Sequence, residues 1–200
     1  MAAPIDFYFD FSSPYGYLGA QRIDALAAKF GRTVDWHPML LGVAFKATGV
    51  TPLTVIPLKG DYSKRDFART ARLHGIAFHM PEKFPIATQA PARIVMWVKR
   101  GDPARAVRVA KALFRAYFVE GIDISVPEPA AAIAAKEGVD ATAARAAVDD
   151  PAIKDALKQE VEAAIARGVF GSPFVFVDGE PFWGFDRFDQ IERWLATGGF

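Results

Sequence analysis

Ser13 follows Phe11-Ser12 and precedes Pro14-Tyr15, a placement that suits it to hold an anion. Serine before proline is a helix-start pattern, because a serine oxygen accepts from a first-turn amide and proline's missing N–H costs nothing there. The remaining free amides and the positive end of the helix dipole favour negative charge at that spot. A thiolate would be held there. An ordinary thiol titrates at about 8.5, and a hydroxyl donor plus a helix end would lower that value toward neutrality. The chain has no cysteine, which excludes a disulfide framework, a thiolate metal site and a dithiol redox cycle, so the thiol would be borrowed. Ser13 caps the helix in any case. A serine-hydrolase role is weaker, since no nucleophile-elbow pattern is present and spacing ties none of His37, His74 and His79 to Ser13.

Two later runs add binding groups. In Gly171-Ser172-Pro173-Phe174 a helix gives way to a proline that starts a strand. A cis bond at Ser172-Pro173 would present the N–H and C=O of Ser172 as a short extended edge; an ordinary trans proline at a strand start is the other reading. In Phe182-Trp183-Gly184-Phe185-Asp186-Arg187, Gly184 permits close approach of a ligand and the amides leading into the last helix suit a carboxylate. Asp186 could pair with an ammonium and is expected to cap that helix as well. Two anion-favouring helix starts around one extended edge match a peptide-like thiol with a terminal carboxylate. Glutathione has that shape.

The elements that must position these residues follow from the hydrophobic pattern. The chain has 200 residues, 52% of them hydrophobic, enough for one compact domain or a small domain with a large insertion. Its 24 basic and 23 acidic residues leave a net charge of +1, so no broad field recruits nucleic acid or an anionic membrane, and a small-molecule partner is expected. No apolar run approaches membrane-spanning length and the N-terminus lacks a cleavable-leader pattern, so a soluble cytoplasmic protein is expected.

Residues 4–10 read as a buried strand, followed by a helix from Ser13 that Gly31 stops and a second strand over residues 33–37. This βαβ start predicts two parallel strands. Residues 39–60 read as an irregular loop with at most a short helical piece over residues 43–48. Helical spacing then runs from Asp61 to Arg167, with starts at Asp102-Pro103 and Asp150-Pro151 and two short alanine-rich helices over residues 127–138 and 140–148. Phe174 to Val177, Asp178-Gly179 and Pro181 to Trp183 read as a hairpin, and a last helix carries Phe188, Ile191, Trp194 and Leu195. The order β-α-β, helical block, β-β-α predicts an α/β thioredoxin-like fold. Residues 1–60 and 168–200 would form the thioredoxin-like domain and residues 61–167 an all-helical insertion with its return helix, in one compact unit.

Asp6 through Tyr15, Asp61-Tyr62 through Gly75 and Pro81, and Gly171-Ser172-Pro173 with Trp183 through Arg187 together resemble the 2-hydroxychromene-2-carboxylate isomerases. That family is related to the kappa-class glutathione transferases within the DsbA-like branch of the thioredoxin superfamily. The resemblance implies a homodimer of glutathione-binding subunits with Ser13 next to the glutathione sulfur. Ser172, with Pro173, would meet the tripeptide through its backbone, and Trp183, Gly184, Phe185 and Asp186 would hold its γ-glutamyl end. The chain departs from the family at Val50 and at Ile86-Ala87-Thr88, near positions where asparagines are common. Those departures bear on substrate identity more than on glutathione.

Candidate contacts to an aromatic carboxylate substrate are Phe45, Lys46, Lys59, Tyr62, Lys64 and Phe84, a set offering apolar wall and cations. No metal-ligand spacing links the three histidines, so no metal is expected. Arg65, Arg69 and Arg72 share one helical face and read as a solvated stripe. The implied activity is glutathione-dependent cis-trans isomerisation. The alternatives are a kappa-like transferase or peroxidase, and a thioredoxin-fold binding module without catalysis.

Overall fold

The computed structural model describes residues 3–200. β1 (Ile5–Phe9) leads through α1 (Pro14–Lys29) to β2 (Val34–Pro38), which pairs with β1 in parallel, Ile5 opposite Val34 and Phe9 opposite Pro38. β3 (Phe174–Val177) lies antiparallel on the other side of β1, and β4 (Glu180–Trp183) returns through Asp178-Gly179 to give the sheet order β2-β1-β3-β4. Both turn residues have positive φ, 52° and 93°, which an Asp-Gly pair tolerates and a two-residue hairpin needs.

Between β2 and β3 run α2 (Leu41–Thr48), a 3-10 turn at Leu53–Val55, α3 (Lys59–Leu73), α4 (Gln89–Gly101), α5 (Pro103–Phe118), α6 (Pro127–Lys136), α7 (Ala141–Ala147) and α8 (Pro151–Ala166). A 3-10 turn at Phe185–Arg187 precedes α9 (Phe188–Thr197). The expected α/β thioredoxin-like arrangement is present. Local signals set the helix starts: the carboxylates of Asp102, Asp140 and Asp150 accept from the amides of Arg105, Ala143 and Ala152.

Alternation along β1 sends Ile5, Phe7 and Phe9 into a core shared with α1, α4 and α5. Phe7 meets Trp36 edge-on at 4.9 Å, and Phe11, just beyond the strand, meets Phe114 of α5 at 4.7 Å. Burial of each such ring contributes about 2–3 kcal/mol, so α5 is bound firmly to the sheet. Tyr8 points the other way, to Met39, Ala44, Phe174 and Ala164 of α8. Both faces of the sheet are therefore covered.

Two expectations need correction. Residues 39–60 hold more helix than their glycines and prolines suggested: α2 starts at Leu41 and α3 already at Lys59. α2 ends where Gly49 takes φ 70°, and a side chain at Gly60 would run into the Thr54 carbonyl, so the 3-10 turn lies tight against α3. Asp186 does not cap the last helix. The Phe185–Arg187 turn moves the start of α9 one residue on, its cap position falls on Arg187 without a capping side chain, and the exposed Asp186 carboxylate lies 3.5 Å from the Arg187 guanidinium instead.

Candidate active site at the start of the first helix

The Ser13 oxygen accepts from the Gly16 amide at 2.9 Å, the expected cap, and its hydroxyl donates to the Ser172 carbonyl at 2.7 Å. The Ser172–Pro173 bond is cis, which settles the choice that the sequence left open. Ser13 is 5% exposed and Ser172 9%. Gly16 makes the approach possible: a Cβ there would lie 2.5 Å from Ser172 Oγ and 3.0 Å from Ser13 Cβ. The Pro173 carbonyl in turn accepts from the Gly184 amide at 3.0 Å, next to the Phe174–Trp183 pair of the hairpin. All three sequence motifs thus meet in one hydrogen-bonded strip: Ser13 to Ser172, and Pro173 to Gly184.

Gly184 has φ 104°, a left-handed conformation strained for any side chain. Trp183 is half-exposed and lies edge-on to Phe170 at 4.8 Å, over Gly171, where a side chain would collide with the indole. Phe185 turns inward against His74 and Phe188, so only its main chain is open to a ligand.

Asp10 lies directly beneath. Its carboxylate, 2% exposed, accepts from the Ser12 amide at 2.6 Å, the Leu41 amide at 2.8 Å and the Thr88 hydroxyl at 3.0 Å. Burial pushes its pKa up, while these three donors hold the charged form. Its main chain serves the opposite side, the N–H donating to Ser172 Oγ at 2.9 Å and the carbonyl accepting from the Ser13 amide at 3.0 Å. On the α3 side the Tyr15 hydroxyl donates to Asp66 at 2.5 Å, and Arg69 pairs with Asp66 and reaches the Tyr62 hydroxyl at 2.9 Å. Burial first, then Asp66, push the Tyr15 pKa up, so the phenol stays a donor.

The substrate candidates divide. Phe84 precedes a second cis proline, Pro85, and the adjoining Ile86 amide donates to Ser12 Oγ at 3.1 Å, which brings that segment against the Ser13 loop. Tyr62 connects to Tyr15 through Arg69 and Asp66. Half-buried Phe45 and exposed Lys46 stand on α2, whose first amide Asp10 holds. Lys59 opens α3 with its side chain exposed, and Lys64 lies 3.7 Å from Asp61. Of the arginine stripe, Arg65 and Arg72 are exposed, whereas Arg69 belongs to the Tyr15 network.

The family model for a DSBA-like thioredoxin domain matches residues 4–196. The chain belongs to the DSBA-like thioredoxin family. Within that family it is 33% identical over 190 residues to 2-hydroxychromene-2-carboxylate isomerase of Pseudomonas putida, covering 94% of this chain and 92% of the relative. A solved structure of a 2-hydroxychromene-2-carboxylate isomerase superposes with a TM-score of 0.86 at 33% identity, over 97% of this chain and 94% of that one. Glutathione S-transferase kappa 1 of Homo sapiens is 25% identical over 96% of this chain and 92% of its own. The chain is thus an isomerase of the DSBA-like family, on a kappa-related branch. A DSBA-like fold without any cysteine cannot run a dithiol cycle of its own.

The sequence reading missed Asp10, Thr88 and the Tyr15–Asp66–Arg69 network, because each depends on contacts between distant segments. Alternation groups Asp10 with Asp6 and Tyr8, a face that one strand alone cannot show to be covered. Spacing also gave no sign of the charges around His37, which lies 2.6 Å from Glu160, 3.2 Å from Asp35 and 3.6 Å from Asp6. Lys99 reaches Asp35 at 2.5 Å and Arg167 reaches Asp6 at 2.6 Å, so the carboxylates already face cations. Burial disfavours the charged ring, but Asp35 and Glu160 prevail and its pKa is pushed up to about 9.

Proposed function

We propose that this chain is a glutathione-dependent cis-trans isomerase that interconverts 2-hydroxychromene-2-carboxylate, or a similar aromatic keto acid, and trans-o-hydroxybenzylidenepyruvate. The observation that carries the reading is Ser13: a buried helix cap bonded to the carbonyl before a cis proline, in a chain without a thiol of its own. The glutathione S-transferase kappa relative supports the choice of thiol, and the isomerase relatives support the choice of substrate.

The residues present fit a peptide thiol. Among the described residues the Ser172 N–H makes no hydrogen bond, so this edge offers a donor beside its carbonyl acceptor. Glutathione would supply a thiolate that adds to the cis enone present once the hemiketal ring has opened, making its C=C bond single until rotation and departure of the thiolate restore it as trans. Ser13, the Tyr15 amide and the positive end of the α1 dipole stabilise negative charge on sulfur, the Gly16 and Tyr17 amides being taken up by Ser13 itself. The Ser13 hydroxyl has one proton, which it now gives to the Ser172 carbonyl. Donating instead to a thiolate frees that carbonyl to accept from a peptide N–H. Trp183, Gly184 and the main chain of Phe185, with Asp186, receive the γ-glutamyl end. Phe45, Tyr62 and Phe84 supply an apolar wall for the aromatic ring, with Lys46, Lys59 or Lys64 drawing its carboxylate. The enzyme works as a cytoplasmic homodimer, and the exposed Leu53, Val55 and Leu58 beside α3 offer apolar surface that a second subunit would cover.

Calorimetric titration with glutathione, run beside an absorbance assay on a chromene carboxylate, tests this. Wild type should bind glutathione and turn over without consuming it, and Ser13→Ala should lose about 100-fold in kcat/KM. Stoichiometric depletion of glutathione would point to the transferase instead. If wild type neither binds glutathione nor accelerates isomerisation, the reading is wrong and a non-catalytic binding module takes its place.

A further inference from the structure

Asp10 is a buried carboxylate for which the chemistry above has no use. Its contacts sort by part of the residue. The main chain bonds the thiol side of the site, Ser172 through the N–H and Ser13 through the carbonyl. The side chain bonds the other side: Leu41 at the start of α2, Thr88 at the start of α4, and Ser12, whose hydroxyl accepts from Ile86 beside the Phe84–Pro85 bond.

Two details show that these bonds are built in. Leu40, at the cap position of α2, has no side chain able to cap, and Asp10 accepts the first amide of that helix from another segment. Thr88 holds the cap position of α4 but does not cap its own helix; it gives its hydroxyl proton to Asp10. A residue type that ordinarily serves its own helix is here committed to the centre of the site.

The geometry points to Asp10 as a positioning residue whose side chain holds the aromatic-substrate side in register with the thiol side that its main chain holds. This rests on the isomerase reading above. Its substrate side consists of α2, which carries Phe45 and Lys46, and the Phe84–Thr88 segment. Substituting the side chain leaves the main-chain bonds to Ser172 and Ser13 in place and so loosens chiefly the substrate side, the Ser12 amide being the one side-chain bond it shares with the Ser13 loop. A displacement of about 1 Å between reacting groups is enough to cost on the order of 100-fold in rate.

The decisive variants are Asp10→Asn, which keeps the shape but turns one acceptor into a donor, and the pair Thr88→Val and Thr88→Ser. For Asp10→Asn, the dissociation constant for glutathione should stay within about threefold of wild type while kcat/KM for the chromene carboxylate falls about 10- to 100-fold. Thr88→Val should lose less, Thr88→Ser should recover most of that loss, and Thr88→Val added to Asp10→Asn should cost less than it does alone. Equal loss of glutathione affinity and turnover would mean that Asp10 only supports the fold and would overturn the proposal, as would no loss of either. If Asp10→Asn does not fold, the two Thr88 variants decide by the same criteria. If wild type does not isomerise, the failure lies with the proposed function, and amide hydrogen exchange decides Asp10 separately. Leu41 and Ser12 should then exchange faster in Asp10→Asn with Tyr17 unchanged; uniform acceleration or none rejects the assignment.

Discussion

The two ends of one strand face carry polar networks of different kinds. Asp6 and Tyr8, inside β1, enter a cluster of charges with His37, Asp35, Glu160, Lys99 and Arg167. Asp10, next in the same alternation, enters a network of amides and hydroxyls. The charged cluster combines short ion pairs with a loose one: His37 Nδ1 meets Glu160 at 2.6 Å, while its Nε2 stands near two carboxylates without forming a hydrogen bond to either. Its role is adhesion, fastening α8 to the sheet through Glu160 and Arg167. The Asp10 network is directional: its side chain accepts at 2.6 to 3.0 Å from Ser12, Leu41 and Thr88, and its main chain bonds Ser172 and Ser13. Charges hold elements together, while directional bonds set the Ser13 loop in place.

The sharpest way to break this contrast is Gly16→Ala. The new methyl would lie 2.5 Å from Ser172 Oγ, and both Ser172 and Ser13 are bonded where they are, so neither can yield easily. kcat/KM should fall about 100-fold, and urea denaturation should show a loss of about 1–3 kcal/mol. A fall of less than about threefold would show that the network is not rigid.

A smaller effect belongs to pH and the charged cluster. The folded-state pKa of His37 lies above its unfolded value of 6.5, at about 9. Its contribution is therefore fully present below pH 6.5 and is lost as pH rises through about 9. Denaturation midpoints at intervals from pH 6 to 10 should record a decline on the order of 2 kcal/mol, which His37→Gln should abolish. An identical decline in His37→Gln would place its origin elsewhere. Smallest is Arg167→Met, which gives up the ion pair with Asp6 but keeps an apolar stem in place of a guanidinium 3.9 Å above Phe176. A stability loss of about 1 kcal/mol, with glutathione binding unchanged, is expected from thermal and calorimetric measurement.

What could be read from the sequence was what neighbouring residues determine. Ser13-Pro14, Asp102-Pro103, Asp150-Pro151 and Asp178-Gly179 carry their own signals, and each sits where those signals put it. The combination of Ser13, Ser172 and Gly184 was legible because element order alone brings the first helix, the proline and the hairpin together. Asp186 was misread because a 3-10 turn and a helix start share the same local pattern. Asp10, Thr88 and Glu160 were out of reach: 78 residues separate Asp10 from Thr88 and 123 separate His37 from Glu160, and no spacing rule spans such distances.

The alternation of β1 has one more consequence. Shifted by a single residue against its neighbours, the strand would drive Asp6 and Asp10 into the rings of Trp36 and Phe114 and leave Phe7 and Phe9 among carboxylates and lysine. Charged cluster and aromatic core thus act together as a key with a single fit. The strand that delivers the Ser13 loop is thereby indexed, before any ligand arrives, to the one alignment in which Ser13 faces the proline turn.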